Sequence, residues 1–215
     1  MPRPSGNTDQ RLIEAARTLL NQSSLTQMNL RQVAKKAGVN LGMFHYHFKT
    51  KDQFTQAVLQ DTYDKFFKEF SLETSGDGPA LERLRSALLT LSRFIGANRR
   101  MILGILHDLL NKNRVVLDFV KTNAPRHGLV VVGLVRQCQK EGSLRKMALP
   151  SIMPVLMGAC LFPLVMVAML ENLEVKRLGF IPFVVAKAAV ASDKAMKSRV
   201  DLMLESLAPP KGKKS

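Results

Sequence analysis

Cysteine is scarce in this chain: Cys138 and Cys160 are the only two among 215 residues. A disulfide framework is therefore excluded as the basis of the fold. Both lie in apolar helical contexts, which favours buried free thiols in a reducing cytoplasm over a redox-sensing role. The opening stretch MPRPSGNTDQ has no apolar run, so no signal peptide is expected. Enzyme signatures are missing too: there is no Gly-rich phosphate loop, no G-x-S-x-G and no H-E-x-x-H. Neither catalysis nor a cofactor is expected. No internal repeat is visible, and no alternating strand pattern with regular turn signals, so the predicted fold class is all-α.

Acidic side chains are also few. Lys+Arg 32 against Asp+Glu 17 gives a net charge of +15 and a pI near 10.2. Such a balance favours polyanions, either nucleic acid or an anionic membrane surface. Residues 1–70 hold 10 basic and 6 acidic side chains, and residues 71–215 hold 22 and 11. Most of the excess thus lies in the second part, where it serves either a long-range field for DNA or an anionic small ligand.

What is present is a dense run of helix signals from Met28 to Lys51, MNLRQVAKKAGVNLGMFHYHFKTK. Asn29 is an N-cap with Gln32 three residues on, and Met28 with Val33 suits a hydrophobic staple. Leu30, Val33, Ala34 and Ala37 make one apolar stripe, and Gly38 ends that helix as a left-handed cap. Asn40 starts a second helix, with Val39 and Phe44 repeating the staple. Thr50 starts a third, with Gln53 in the capping-box position. Three caps so close together describe a helix-turn-helix running directly into another helix.

The rest of the chain reads as helices. One spans 9–21 behind a Thr8 cap, and a polar connection follows at 22–28. The helix opening at Lys51 extends to about Phe70. SLETSGDGP (71–79) is a linker by composition. Helices are then expected at 80–97, 100–111 and 114–123, with Pro125 breaking the pattern and a new helix at 126–140. Another covers 150–172, residues 173–190 are ambiguous between extended and helical, and a last amphipathic helix covers 193–207. This gives a DNA-binding domain at 8–54, linked through helix 51–70 to a second domain at 71–208, with flexible ends at 1–7 and 209–215. Arg3 in the first of these suits a minor-groove arm. From Leu149 to Leu170 the chain carries no charge. That run is long enough to span a membrane, but Pro154 and Pro163 interrupt it, and a central core helix or one side of a dimer interface fits it better.

A short helix can present its first residues to base edges while flanking groups hold phosphates. On this reading Phe44 and Phe48 point inward, and Leu41, Gly42, Met43 and His45 face the groove. Tyr46, His47, Lys49 and Lys51 lie where phosphates run, and Arg31 reaches a guanine edge. Asn29 and Asn40, the caps, complete the surface. The segment from Arg11 to Phe54 resembles the DNA-binding domain of TetR-type (tetracycline-repressor-like) regulators. The residues that carry the resemblance are Ala15 and Ala16, Val33 and Ala34, Ala37-Gly38-Val39, Asn40, Gly42, Tyr46-His47-Phe48, and Lys49 with Lys51. His45 stands where the family usually has a first tyrosine, which alters base readout there. The resemblance implies an all-helical second domain that dimerises through its last two long helices and encloses a ligand cavity.

His45 and His47 form an H-x-H pair, but no cysteine or carboxylate cluster accompanies them, so no metal is expected. Phe94, Met101, His107, Met157, Phe162 and Met166 are the candidate cavity lining, with core packing as the competing role. His107–Asp108 reads as a core histidine or a polar anchor for a ligand. Arg99–Arg100 reads as a solvated helix start or a contact for an anionic ligand. The expected molecule is a cytoplasmic homodimer that binds pseudo-palindromic operator DNA, most plainly as a repressor, and responds to a small apolar or amphipathic effector. The rival readings are a basic membrane-associated protein anchored through 149–170 and a non-specific DNA-coating protein.

Overall fold

A computed structural model describes residues 7–20 and 28–210. The expectations for Arg3, for the polar connection at 22–27 and for the chain beyond 210 lie outside those residues. In chain order the elements are α1 (Thr8–Leu20), α2 (Leu30–Ala37), α3 (Leu41–His47), α4 (Lys51–Thr74), α5 (Ala80–Ala97), α6 (Arg99–Leu110), α7 (Arg114–Glu141), α8 (Leu149–Asn172), β1 (Arg177–Leu178), β2 (Ile181–Pro182), α9 (Phe183–Ala191) and α10 (Asp193–Leu207). The fold is all-α, apart from one two-stranded hairpin.

Three elements depart from the sequence reading. α4 continues to Thr74, into the stretch 71–79 read as a linker. α7 runs without a break through Pro125. A proline inside a helix removes one bond, here to the carbonyl of Lys121; Lys121 is at an exposed position, where water can replace that bond. The ambiguous stretch 173–190 resolves into both alternatives. Arg177 pairs with Pro182 and Leu178 with Ile181. Gly179, at φ +59, occupies the first central position of the two-residue turn, as a type II′ hairpin requires. Helix α9 then follows directly.

The backbone forms two compact units. One takes in α1 to α3, α4 as far as Lys65, and Arg100–Asn123; the other takes in Phe66–Arg99 and the chain from Ala124 on. In the first, α1, α2 and α3 pack on one another. Leu12, Ala16, Leu20, Val33, Phe44, Phe54 and Val58 are buried among them. A buried Asn123 in α7 exchanges amide bonds with Gln60 of α4 (3.0 and 3.2 Å), and its carbonyl accepts from the Tyr63 hydroxyl at 2.7 Å.

In the second unit α5, α8 and α10 pack together, and α9 lies against α8 and α10. α8 buries Ile152, Leu156, Cys160, Leu164 and Ala168, a row at every fourth residue. α5 and α10 come so close at Gly96 that a Cβ there would stand 2.6 Å from the Met196 methyl. Arg85–Asp201 and Arg93–Asp193 bridge the same two helices at 2.6 and 2.7 Å. Cys138 and Cys160 are free and buried. Burial pushes both thiols above the usual cysteine range, so they stay protonated. By length and composition α8 could cross a membrane. Only one of its faces is covered within the chain.

Candidate nucleic-acid interface

The local chemistry that sets up α2 and α3 follows the sequence closely. The Asn29 side-chain oxygen accepts from the backbone N–H of Arg31 at 2.9 Å and of Gln32 at 3.4 Å. Gly38, at φ +64, ends α2 with bonds to the Ala34 and Lys35 carbonyls. The Asn40 oxygen accepts from Met43 N–H at 2.8 Å, which starts α3. The Thr50 hydroxyl accepts from Gln53 N–H at 3.1 Å, which starts α4. Each cap satisfies helix donors that would otherwise lack a partner.

The inner side of α3 is fixed by rings. Phe44 is fully buried and meets Phe54 edge-on, with centroids 5.0 Å apart; Phe48 meets Phe54 at 4.8 Å. With Phe44 held inside, Gly42, His45 and Tyr46 stand exposed, and Leu41 and Met43 are partly covered. Tyr46 is 76% exposed, far more than a packing tyrosine needs. The ring of His47 lies edge-on to Tyr46, and its Nε2 is buried without a hydrogen-bond partner. Among the described residues no group of His, Cys, Asp and Glu could hold a metal ion.

Charge pairing sorts the basic residues of this unit. Arg17 and Lys65 are engaged by Glu14 and Asp61, with closest approaches of 3.0 Å. Arg31, Lys35, Lys36 and Lys49 are exposed, and none takes part in a described ion pair. Exposed cations without an ion partner are groups that a polyanion can engage. Lys51, at the first position of α4, is partly covered.

One residue of the site's scaffold carries no local sequence signal. Arg11 of α1 donates from its guanidinium to the carbonyls of Ala37 (2.5 Å) and Gly38 (3.3 Å). It thereby holds the turn between α2 and α3 from the side. The contact joins residues 26 apart in the chain, so no helix periodicity reveals it. Lys35 and Lys36 were likewise not singled out by the motif, because it marks them only as the outer face of α2.

The candidate ligand-lining residues are less unified. Met101 and His107 belong to the first unit, whereas Phe94, Met157, Phe162 and Met166 belong to the second. Met101 is buried, Phe94, Met157 and Met166 are partly covered, and Phe162 is 65% exposed. His107 is not a core histidine. Its side chain is exposed, and it is the adjacent Asp108 that is buried, 3.2 Å from His107 Nδ1. Arg99 is not a solvated helix start: it grips Glu171 through two bonds of 2.7 and 2.8 Å.

Four likenesses to known proteins bear on the fold. Residues 12–58 match the family described as bacterial regulatory proteins, tetR family. The HTH-type transcriptional repressor KstR2 of Mycolicibacterium smegmatis is 26% identical over 145 residues, covering 66% of this chain and 69% of that protein. Two solved structures share the fold over nearly the whole length. A protein from Saccharomonospora viridis in complex with choline has a TM-score of 0.69 at 15% identity, covering 94% of this chain and 97% of the other. The regulator FadR from Bacillus subtilis in complex with stearoyl-CoA has a TM-score of 0.67 at 13% identity, covering 91% and 97%.

Proposed function

We propose that the chain, whose residues 12–58 match the tetR family of bacterial regulatory proteins, is a ligand-released repressor acting as a cytoplasmic homodimer on pseudo-palindromic operator DNA. The observation that carries this reading is the outward face of α3. Leu41, Gly42, Met43, His45 and Tyr46 are presented on a helix whose other side is locked by Phe44, and Arg31, Lys35 and Lys36 of α2 and Lys49 just after α3 are exposed without a described ion partner. Asn29 and Asn40 set the starts of α2 and α3, and His47 and Lys51 close the phosphate side. Two copies related by a two-fold axis set two α3 helices into successive major grooves.

The residues at 8–54 form the DNA-binding domain, and those at 71–208 dimerise through α8 and α10 and take the effector. A small apolar or amphipathic effector is the proposed ligand, and one protein of this fold holds the amphipathic stearoyl-CoA. It acts by favouring the spacing of the two α3 helices that does not fit DNA, so its effect is a difference in affinity between two states. Phe94, Met157 and Met166, all more than half covered and within one unit, are the lining residues to substitute. No catalysis and no cofactor are part of this reading.

The test is selection of bound fragments from the source genome, followed by competition between a selected fragment and random DNA at a fixed salt concentration. The reading requires a preference of at least about 1,000-fold for the selected fragment. Equal binding to both supports a DNA-coating protein instead. A chain that sediments with membranes, and needs detergent for release, supports anchoring through 149–170.

A further inference from the structure

Helix α3 carries the residues assigned to base contacts, yet it is seven residues long and buries only Phe44. A helix of about two turns held by one ring can still swing about that ring. Its exposed face is aimed only if its first residues are fixed as well. The chain enters α3 through Gly38 and Val39, directly after α2. Gly38 N–H donates to the Lys35 carbonyl at 3.1 Å, and Val39 N–H to the Ala34 carbonyl at 3.0 Å. These bonds close α2 from within. They leave the carbonyls of Ala37 and Gly38 without a backbone donor. Arg11 of α1 takes both through one nitrogen, Nη2, at 2.5 and 3.3 Å. Gly38 is exposed, so water could serve its carbonyl. The guanidinium supplies what water does not, a fixed direction, and it places a cation at the negative end of the α2 dipole.

We propose that Arg11 is a positioning residue for sequence readout: its bonds to the turn set the angle at which α3 leaves α2, and so which base edges Leu41, Met43 and His45 reach. The proposal rests on the DNA-binding reading above and deepens it. Arg11 acts through the backbone of the turn and contacts no base.

A path of close contacts leads from Arg11 to the exposed face. A Cβ on Gly38 would stand 2.9 Å from Arg11 Nη2, so the guanidinium reaches the turn because residue 38 has none. Two residues on, Asn40 starts α3 through its bond from Met43 N–H at 2.8 Å. A Cβ on Gly42 would stand 3.3 Å from the same Asn40 oxygen. Fixing the turn therefore fixes the cap, and the cap fixes the first turn of α3. The consequence for DNA is selective. Contacts from cations to phosphates carry non-specific binding and tolerate a small swing of α3. Hydrogen bonds and methyl contacts at base edges do not. An exposed arginine has one other role on DNA, a phosphate contact, and salt dependence separates the two.

The experiment uses the full chain with Arg11→Met, which keeps the stem and removes the donors. Arg11→Lys, which keeps the charge, serves if the methionine variant does not fold. The probes are a duplex selected by the wild type from a random-sequence pool and a random duplex of the same length. Binding is titrated at several salt concentrations, at a temperature where circular dichroism shows each protein fully folded. The expected result for Arg11→Met is a loss of about 10-fold on the selected duplex, the worth of about one base contact. Binding to the random duplex should stay within about two-fold of wild type, with the salt slope on the selected duplex unchanged. Arg11→Lys should show the same pattern with a smaller loss. Amide exchange at residues 39–43 should rise in the variants while exchange at 33–36 stays as it was. An equal loss on both duplexes, with a slope shallower by about one unit, makes Arg11 a phosphate contact and overturns the proposal. A lower melting temperature with unchanged affinity for the selected duplex makes it a scaffold residue only and also overturns it. A wild-type chain that binds both duplexes equally overturns the DNA-binding reading, and the positioning role with it, whatever the exchange shows.

Discussion

Arg199 Nε donates at 3.0 Å to the carbonyl oxygen of Ala159, the acceptor that Pro163 leaves without a partner. In a regular helix that oxygen would take the N–H of residue 163, and proline has none. A side chain from α10 thus repairs the ladder of α8, and its second bond, to Val190 at 3.2 Å, covers a carbonyl near the end of α9. The repair has a cost: a third guanidinium nitrogen is buried with no partner. Burial accordingly lowers the guanidinium below the usual arginine range. Arg199→Met should destabilise the chain by about 1–3 kcal/mol, the cost of an unmet buried acceptor. In a Pro163→Ala background the helix supplies its own donor, so the same change should cost less. A double-mutant cycle by urea unfolding measures the difference; strictly additive effects would show that the two residues are not coupled.

Glu171 sets a pH dependence. Burial alone would raise its carboxyl, but bonds from Arg99 and Lys187 outweigh burial and hold it at about 2. A folded-state value depressed below the ordinary 4.5 means that stability is fully present above that pH. It is lost as pH falls through the window down to about 2. Unfolding free energies measured across this window should fall more steeply for the wild type than for Glu171→Gln. Parallel curves would remove Glu171 as a contributor.

Backbone handedness supplies a pair of opposite outcomes. Gly38 has φ +64, and an added Cβ would stand 2.9 Å from the Arg11 guanidinium. Gly38→Ala should lower stability by about 1 kcal/mol or more. Glu174 ends α8 at φ +53, a left-handed position held by a non-glycine residue, so Glu174→Gly should raise stability by about 0.5–1 kcal/mol. Thermal unfolding of both variants reads the signs directly.

On DNA, Lys49→Ala should weaken binding to all sequences alike and flatten the salt dependence by about one unit of slope. Arg31→Ala should instead relax preference at one base pair, with a loss of about 1–3 kcal/mol in discrimination there. Titrations at several salt concentrations on operator variants separate the two. Uniform behaviour of Arg31→Ala across all base pairs would reduce that residue to a phosphate contact.

Much of the α1–α4 region was legible in the sequence because its determinants are local. Asn29, Gly38, Asn40 and Thr50 act on backbone groups within four residues of themselves, and Phe44 follows from the helical period. The reading went astray where the surroundings decided the outcome. Pro125 looked like a break, but the carbonyl it leaves free is at the exposed Lys121 and α7 continues through it. Arg99 looked free to meet solvent or a ligand, but Glu171 lies 72 residues away in the chain and takes it. His107 and Asp108 are adjacent, and periodicity did not reveal which of them turns inward.

By itself, the sequence determined the capped helix starts, the buried stripes and the residues of the exposed α3 face, since caps and periodicity act over a few residues. Only the tertiary structure decided which cations are neutralised and which stay unpaired. It also decided that Arg199 answers for Pro163, and that the apolar side of α9 faces out while its single lysine faces in. Those outcomes depend on partners brought together from distant parts of the chain, and no local pattern encodes the distance between them.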